Sequence, residues 1–187
     1  RHLDREAARG RWHGPLHGIP VGIKDVIDVG GMPTTAGSAA YVRRVAEADA
    51  TAVSRLRAAG AVVLGKTVTT PFANGDPQPT RNPWNLERSP GGSSSGSGAA
   101  VGDRMCLAAL GTQSGGSVLR PAAFCGIVGF KPSTGQTDLA GVVPNVTELD
   151  HVGVLARGVG DAHLMFQVYR DEPWSQWEAL PERVPPA

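Results

Sequence analysis

GTQSGGSVLRPAAFCGIVGFKP, residues 111–132, decides how this chain is read. It places Ser117 at the end of a Thr-Gln-Ser-Gly-Gly turn. Gly115 and Gly116 let the backbone pass close to a reacting atom with its N–H groups exposed. A serine presented in this way can attack a carbonyl while adjacent amides hold the oxyanion that forms. An isolated Gly-Gly-Ser is usually an ordinary tight turn, so the surroundings carry the reading. The apolar run MCLAAL at 105–110 reads as the strand that delivers the turn. A second serine-rich turn, SPGGSSSGSG, lies upstream at 89–98, and GIPVGIKD at 18–25 sets a lysine inside an apolar run. Together the three segments point to amide hydrolysis without histidine.

Working outward, IVGF at 127–130 reads as another strand, and Gly18 to Val29 as a buried strand and its exit, interrupted by Lys24. Asp49 is placed to cap a helix over 50–59 with Val53 and Leu56 inward. Gly60 ends that helix, and AVVLG at 61–65 reads as a short buried strand. A helix followed by a fully apolar strand signals an α/β layer with a largely covered sheet. Residues 71–98 show almost no periodicity, and a loop of that length is a functional suspect. A short helix of small residues is expected after the serine run, and an amphipathic helix over 158–169 with Leu164, Met165 and Val168 inward. Residues 1–12 read as the tail of an exposed helix, so an N-terminal extension is expected before Arg1. The tail at 171–187, rich in Pro and Trp, fits no element.

Composition removes several function classes. Net charge is +1, and the charges of both signs are scattered. Without a basic stripe interleaved with aromatics, nucleic-acid binding has no support. Cys106 and Cys125 are too few for a disulfide scaffold, which makes a reduced, cytoplasmic setting the default. No apolar run approaches the ~18 residues of a membrane helix, and no signal peptide opens the chain. The reading calls for no cofactor and no metal.

A serine nucleophile needs a base, and none of the three motifs contains histidine. A neutral lysine can serve if burial lowers its pKa well below the ordinary lysine value of about 10.4. Lys24, between Ile23 and the apolar Val26, is the candidate. The chain has only three lysines, Lys24, Lys66 and Lys131, in an otherwise Arg-rich set of cations. Arginine would stay charged and could not act as the base. The competing reading of Lys24 is a strand-end side chain that reaches out to water. For the Gly/Ser run the competing reading is a flexible linker, which its place between defined elements opposes.

GIPVGIKD, then GGSSSGSG, then GTQSGGSVLRPAAFCGIVGFKPS, closely resembles the amidase signature family, over about Gly14 to Tyr169. The resemblance implies an α/β fold: a mixed β-sheet covered by helices on both faces, here truncated in its C-terminal half. It implies a Ser–cis-Ser–Lys triad, with the nucleophile at Ser117, the relay serine at Ser93 after a cis peptide bond, and the lysine at Lys24. It assigns the oxyanion hole to the amides of Ser114, Gly115, Gly116 and Ser117. The whole chain then reads as one partial amidase domain acting on a small-molecule amide, with a homodimer left open and no membrane or direct nucleic-acid partner.

Three positions depart from the common family pattern. Gln113-Ser114 replaces Asp-Thr, Arg120 sits one place later than usual, and Pro71 stands where an acid is common. Family members are also more than twice as long, and their C-terminal half lines the acyl pocket. Two other motifs compete weakly. Gly92 to Gly96 matches the G-x-S-x-G elbow with Ser94 central, but no strand precedes it. A P-loop would need Gly-Lys-Ser/Thr after the glycines. Three functional readings stand side by side: an amidase forming an acyl-enzyme on Ser117, the glutamine-hydrolysing subunit of a tRNA-dependent amidotransferase, and a truncated, inactive remnant.

Overall fold

The computed structural model describes residues 2–75 and 78–171; the tail that the sequence leaves unplaced lies, from 172 onward, outside the described residues. A short exposed helix, α1 (His2–Ala7), leads into β1 (Pro20–Lys24). Then come α2 (Thr51–Ala58), β2 (Val62–Thr67), α3 (Ser95–Gly102), β3 (Ala108–Gln113), α4 (Leu119–Phe124), β4 (Val128–Phe130), β5 (His151–Ala156) and α5 (Val159–Tyr169). The five strands form one mixed sheet in the order β2-β1-β3-β5-β4. β1 pairs in parallel with β2 and β3, whereas β5 runs antiparallel to both β3 and β4.

Side-chain alternation along the strands builds a core on each face. Ala108 and Leu110 of β3, with Val152, Val154 and Ala156 of β5, pack with α2 and α5. Ala109 and Leu155, which alternate with them along the strands, pack with Val101 of α3 and Ala122 of α4. Helices therefore cover both faces, as the resemblance implies. Val21 and Ile23 of β1 belong to the first core. Gly22 and Lys24 consequently point to the other face, where α3 begins.

Several expectations need correction. Asp49 does not cap α2: the cap position is Ala50, with no side-chain bond. Asp49 instead accepts from Gly30 N at 2.7 Å and pairs with Arg57. AVVLG is not a buried strand, because β2 lies at the sheet edge with Leu64 56% exposed. MCLAAL contributes only its last three residues to β3, which runs on through Gln113. The expected small-residue helix starts within the serine run, at Ser95. α4 and β5 are unassigned by the sequence reading. In α5, Met165 and Val168 are buried as expected, and Leu164 is partly buried against the same core.

Candidate active site

Lys24 is the last residue of β1, and its side chain is fully buried. Its Nζ donates to Ser93 Oγ at 2.8 Å, to Thr112 Oγ1 at 2.8 Å and to Thr112 O at 3.4 Å. Desolvation by burial lowers its pKa from the usual lysine value to about 7, and the charge of Asp150 opposes part of that fall. The lysine therefore does not reach water; β3 and the serine run enclose it.

Ser93 follows a cis peptide bond from Gly92 and is buried. Its neighbours hold it in place. Ser93 O accepts from Thr70 N at 3.1 Å, and Gly96 N donates to Val68 O at 2.8 Å. Ser97 Oγ reaches Leu110 O at 2.9 Å. Ser94, the centre of the competing elbow motif, is fully buried with its hydroxyl between Thr112 N and Thr112 O. No strand leads into it. Ser94 is thus a packing residue of the α3 start.

The Ser117 turn bridges β3 and α4. Gln113 Oε1 accepts from Val118 N at 2.8 Å and from Leu119 N at 2.9 Å, which ties the first turn of α4 to the end of β3. Among the described residues, the amides of Ser114, Gly115, Gly116 and Ser117 donate no hydrogen bond, so four N–H groups of this turn are uncommitted. The Ser117 carbonyl accepts from Ser94 N at 3.2 Å, joining the two serine motifs. The Ser117 hydroxyl, half-buried, has no hydrogen bond among the described residues. The structure thus links Lys24 directly to Ser93, and Ser117 to the Ser93–Ser95 segment through the backbone.

Two participants escape the sequence reading. Thr112 shares Lys24 with Ser93, and only the β1–β3 pairing shows it. Asp150 accepts from the Ser114 hydroxyl and from Asn145 N at 2.8 Å and Val146 N at 3.1 Å. The histidines stay out of the Lys24–Ser93 contact. His151 is buried against Leu149 O and Gln113 O, and His13 and His17 stack near the N-terminus. Pro71, where the family commonly has an acid, opens a 3-10 turn over Pro71–Ala73. A cleft of about 180 Å³ lined by Thr70, Gln78, Gly92, Ser95, Arg120 and Phe124 adjoins Ser93 through Gly92. Among the described residues, no group of three or more His, Cys, Asp or Glu side chains converges to hold a metal ion, and no helix is long and apolar enough to cross a membrane.

Comparison with known proteins gives the family. The chain is 48% identical over 173 residues to a glutamyl-tRNA(Gln) amidotransferase subunit from Anaeromyxobacter sp. (strain K), covering 89% of this chain and 35% of that protein. It is 51% identical over 160 residues to the corresponding subunit of Roseiflexus castenholzii, covering 82% of this chain and 33% of that one. The chain thus spans about a third of the length of these relatives. The native peptide amidase of Stenotrophomonas maltophilia superposes with a TM-score of 0.85 at 37% identity, over 98% of this chain and 40% of that one. The corresponding amidotransferase subunit of Thermotoga maritima gives 0.81 at 42% identity, over 85% and 36% respectively. The family model described as Amidase matches residues 1–186, and the chain belongs to that family.

Proposed function

We propose that this chain carries the catalytic centre of an amidase, converting R-CO-NH2 and water to R-COOH and ammonia. The observation that carries the reading is Lys24, fully buried, with a pKa lowered to about 7 and a 2.8 Å hydrogen bond to Ser93. Neutral Lys24 takes the Ser93 proton as Ser93 takes that of Ser117, and Ser117 Oγ attacks the amide carbon. The amides of Ser114 to Ser117 receive the oxyanion. The proton returns through Ser93 to the leaving nitrogen, ammonia departs, and water hydrolyses the acyl-enzyme by the same relay in reverse. The relay requires a Ser117–Ser93 hydrogen bond that forms when substrate binds, as catalytic hydrogen bonds commonly tighten only in the complex. The 187 residues are then one part of an amidase domain, and a cytoplasmic setting belongs to this reading, with the homodimer left open.

A fluorophosphonate tests it. In protein expressed from the complete reading frame, label on the peptide containing Ser117 is expected, and label on Ser94 would overturn the reading. The 48% identity to an amidotransferase subunit favours a second reading, a glutamine-hydrolysing subunit working with partners. Glutamine hydrolysis that begins only when candidate partner subunits are added would support it over the free amidase. Loss of all labelling from a folded protein would favour an inactive remnant.

A further inference from the structure

Asp150 is placed where no step of the proposed reaction needs a carboxylate. It lies just before β5, the strand beside β3, and it draws together two segments far apart in sequence. One Asp150 oxygen, Oδ1, accepts from the hydroxyl of Ser114, the first residue of the turn that presents Ser117. Its other oxygen, Oδ2, accepts from the backbone amides of Asn145 and Val146, at 2.8 and 3.1 Å. Asn145 closes the ring by donating from Nδ2 to Ser114 Oγ at 3.0 Å. An ionised carboxylate is an acceptor only, and this one takes three donors from two segments. Ser114 in turn uses its hydroxyl on Asp150 and leaves its amide uncommitted.

We propose that Asp150 is a positioning residue that fixes the Ser114–Ser117 turn, so that its free amides and the Ser117 hydroxyl hold one geometry toward substrate. The inference rests on the reading of Ser117 and Lys24 as the reacting pair. The carboxylate has a second consequence. It is the charge that raises the Lys24 pKa against the larger effect of desolvation. Removing it makes the lysine neutral at lower pH, so the acid limb of the rate profile moves down. Other titratable or charged groups on the surrounding elements include Asp25 with its ion-pair partner Lys66, just past β1 and on β2, His151, which begins β5, and Arg120 of α4, which lies against Gly116 of the turn. All four are retained in the variants below.

The test uses protein from the complete reading frame, a simple primary amide and a fluorophosphonate. Asp150→Asn should lower kcat about 10- to 100-fold, the cost of a small misplacement of reacting groups, with KM little changed. Its acid limb should shift to lower pH. Ser114→Ala, which keeps the carboxylate but cuts the tether, should reproduce the loss in kcat and leave the acid limb where it was. Fluorophosphonate labelling of Ser117 should slow in both. Normal kcat in both variants would overturn the inference. So would a loss in Asp150→Asn that Ser114→Ala does not share and that comes with an unmoved acid limb, since this marks a purely structural carboxylate. Ser117→Ala is the control: if it stays active, the underlying reading has failed, whereas an inactive Ser117→Ala beside a normal Asp150→Asn refutes the positioning role alone.

Discussion

At Lys24 the fold sustains a cost that the chemistry can use. Burial lowers its pKa to about 7, so the folded protein gives up this proton far earlier than the unfolded chain, where lysine titrates near its ordinary value. Between the two values the unfolded state binds more protons, and stability rises with pH over about 7 to 10.5. Below that window the penalty is present in full. Lys24→Met should abolish the rise, with the variant gaining stability over wild type more at pH 6 than at pH 9; denaturant titrations at the two values measure it. The same pKa sets the rate profile, with kcat/KM climbing as pH passes about 7. Lys24→Arg should fail as badly as Lys24→Ala, by about 10³-fold in kcat, because arginine cannot shed its proton. Near-normal turnover by the arginine variant would show that only the charge matters. Lys24, Ser93 and Ser117 are proposed from the sequence through three ordered motifs, and the structure brings the first two within 2.8 Å of each other. Thr112 and Asp150 are not, because their parts depend on which strands pair.

The elements show the same division. α2 and α5 follow from periodicity and from glycine punctuation and are found within a residue at each end, whereas of Gly18–Val29, read as a strand and its exit, β1 takes only Pro20–Lys24. β5 escapes because all six of its residues are buried, and a strand covered on both faces loses the alternation that would reveal it. The edge position of β2 escapes for the opposite reason: VVL is apolar in either place, and only the pairing shows that one side is open. The asymmetry between helix faces gives a sharper test at α3. A Cβ on Gly96 would sit 2.2 Å from Val68 N and 2.9 Å from Val68 Cα, both backbone atoms that cannot turn aside. Gly96→Ala should therefore cost about 1–3 kcal/mol or more by overpacking and move the serine run off Val68, the residue that follows β2. Gly115→Ala, where a Cβ meets nothing within 4 Å, should leave the melting temperature unchanged. Equal melting temperatures for the two variants would mean that α3 does not rest on the backbone of Val68, just past β2.

At the scale of the molecule, the sheet of the described residues closes on neither side. Among the described residues β2 and β4 are its two edges, and an edge strand leaves the backbone groups of one side outside the ladder. Apolar side chains accompany them: Leu64 on β2, and Leu119 and Phe124 on α4, are each about half exposed. In relatives roughly three times as long, the remaining chain has room to cover such surface, since this chain spans 35% of the first of them. Fully burying a Leu or Phe contributes about 1.5–3 kcal/mol, so these three half-exposed side chains together forgo roughly 2–5 kcal/mol, a large part of a marginal domain stability of ~5–15 kcal/mol. Edges and apolar patches of this kind recruit other chains. Expressed alone, the 187 residues should therefore self-associate, melt without a sharp cooperative transition and fail to hydrolyse a simple amide. Light scattering, calorimetry and an ammonia-release assay on the same preparation measure all three. A monomer that melts cooperatively and releases ammonia would show that five strands and their helices suffice, and that the exposed faces of β2 and α4 need no cover.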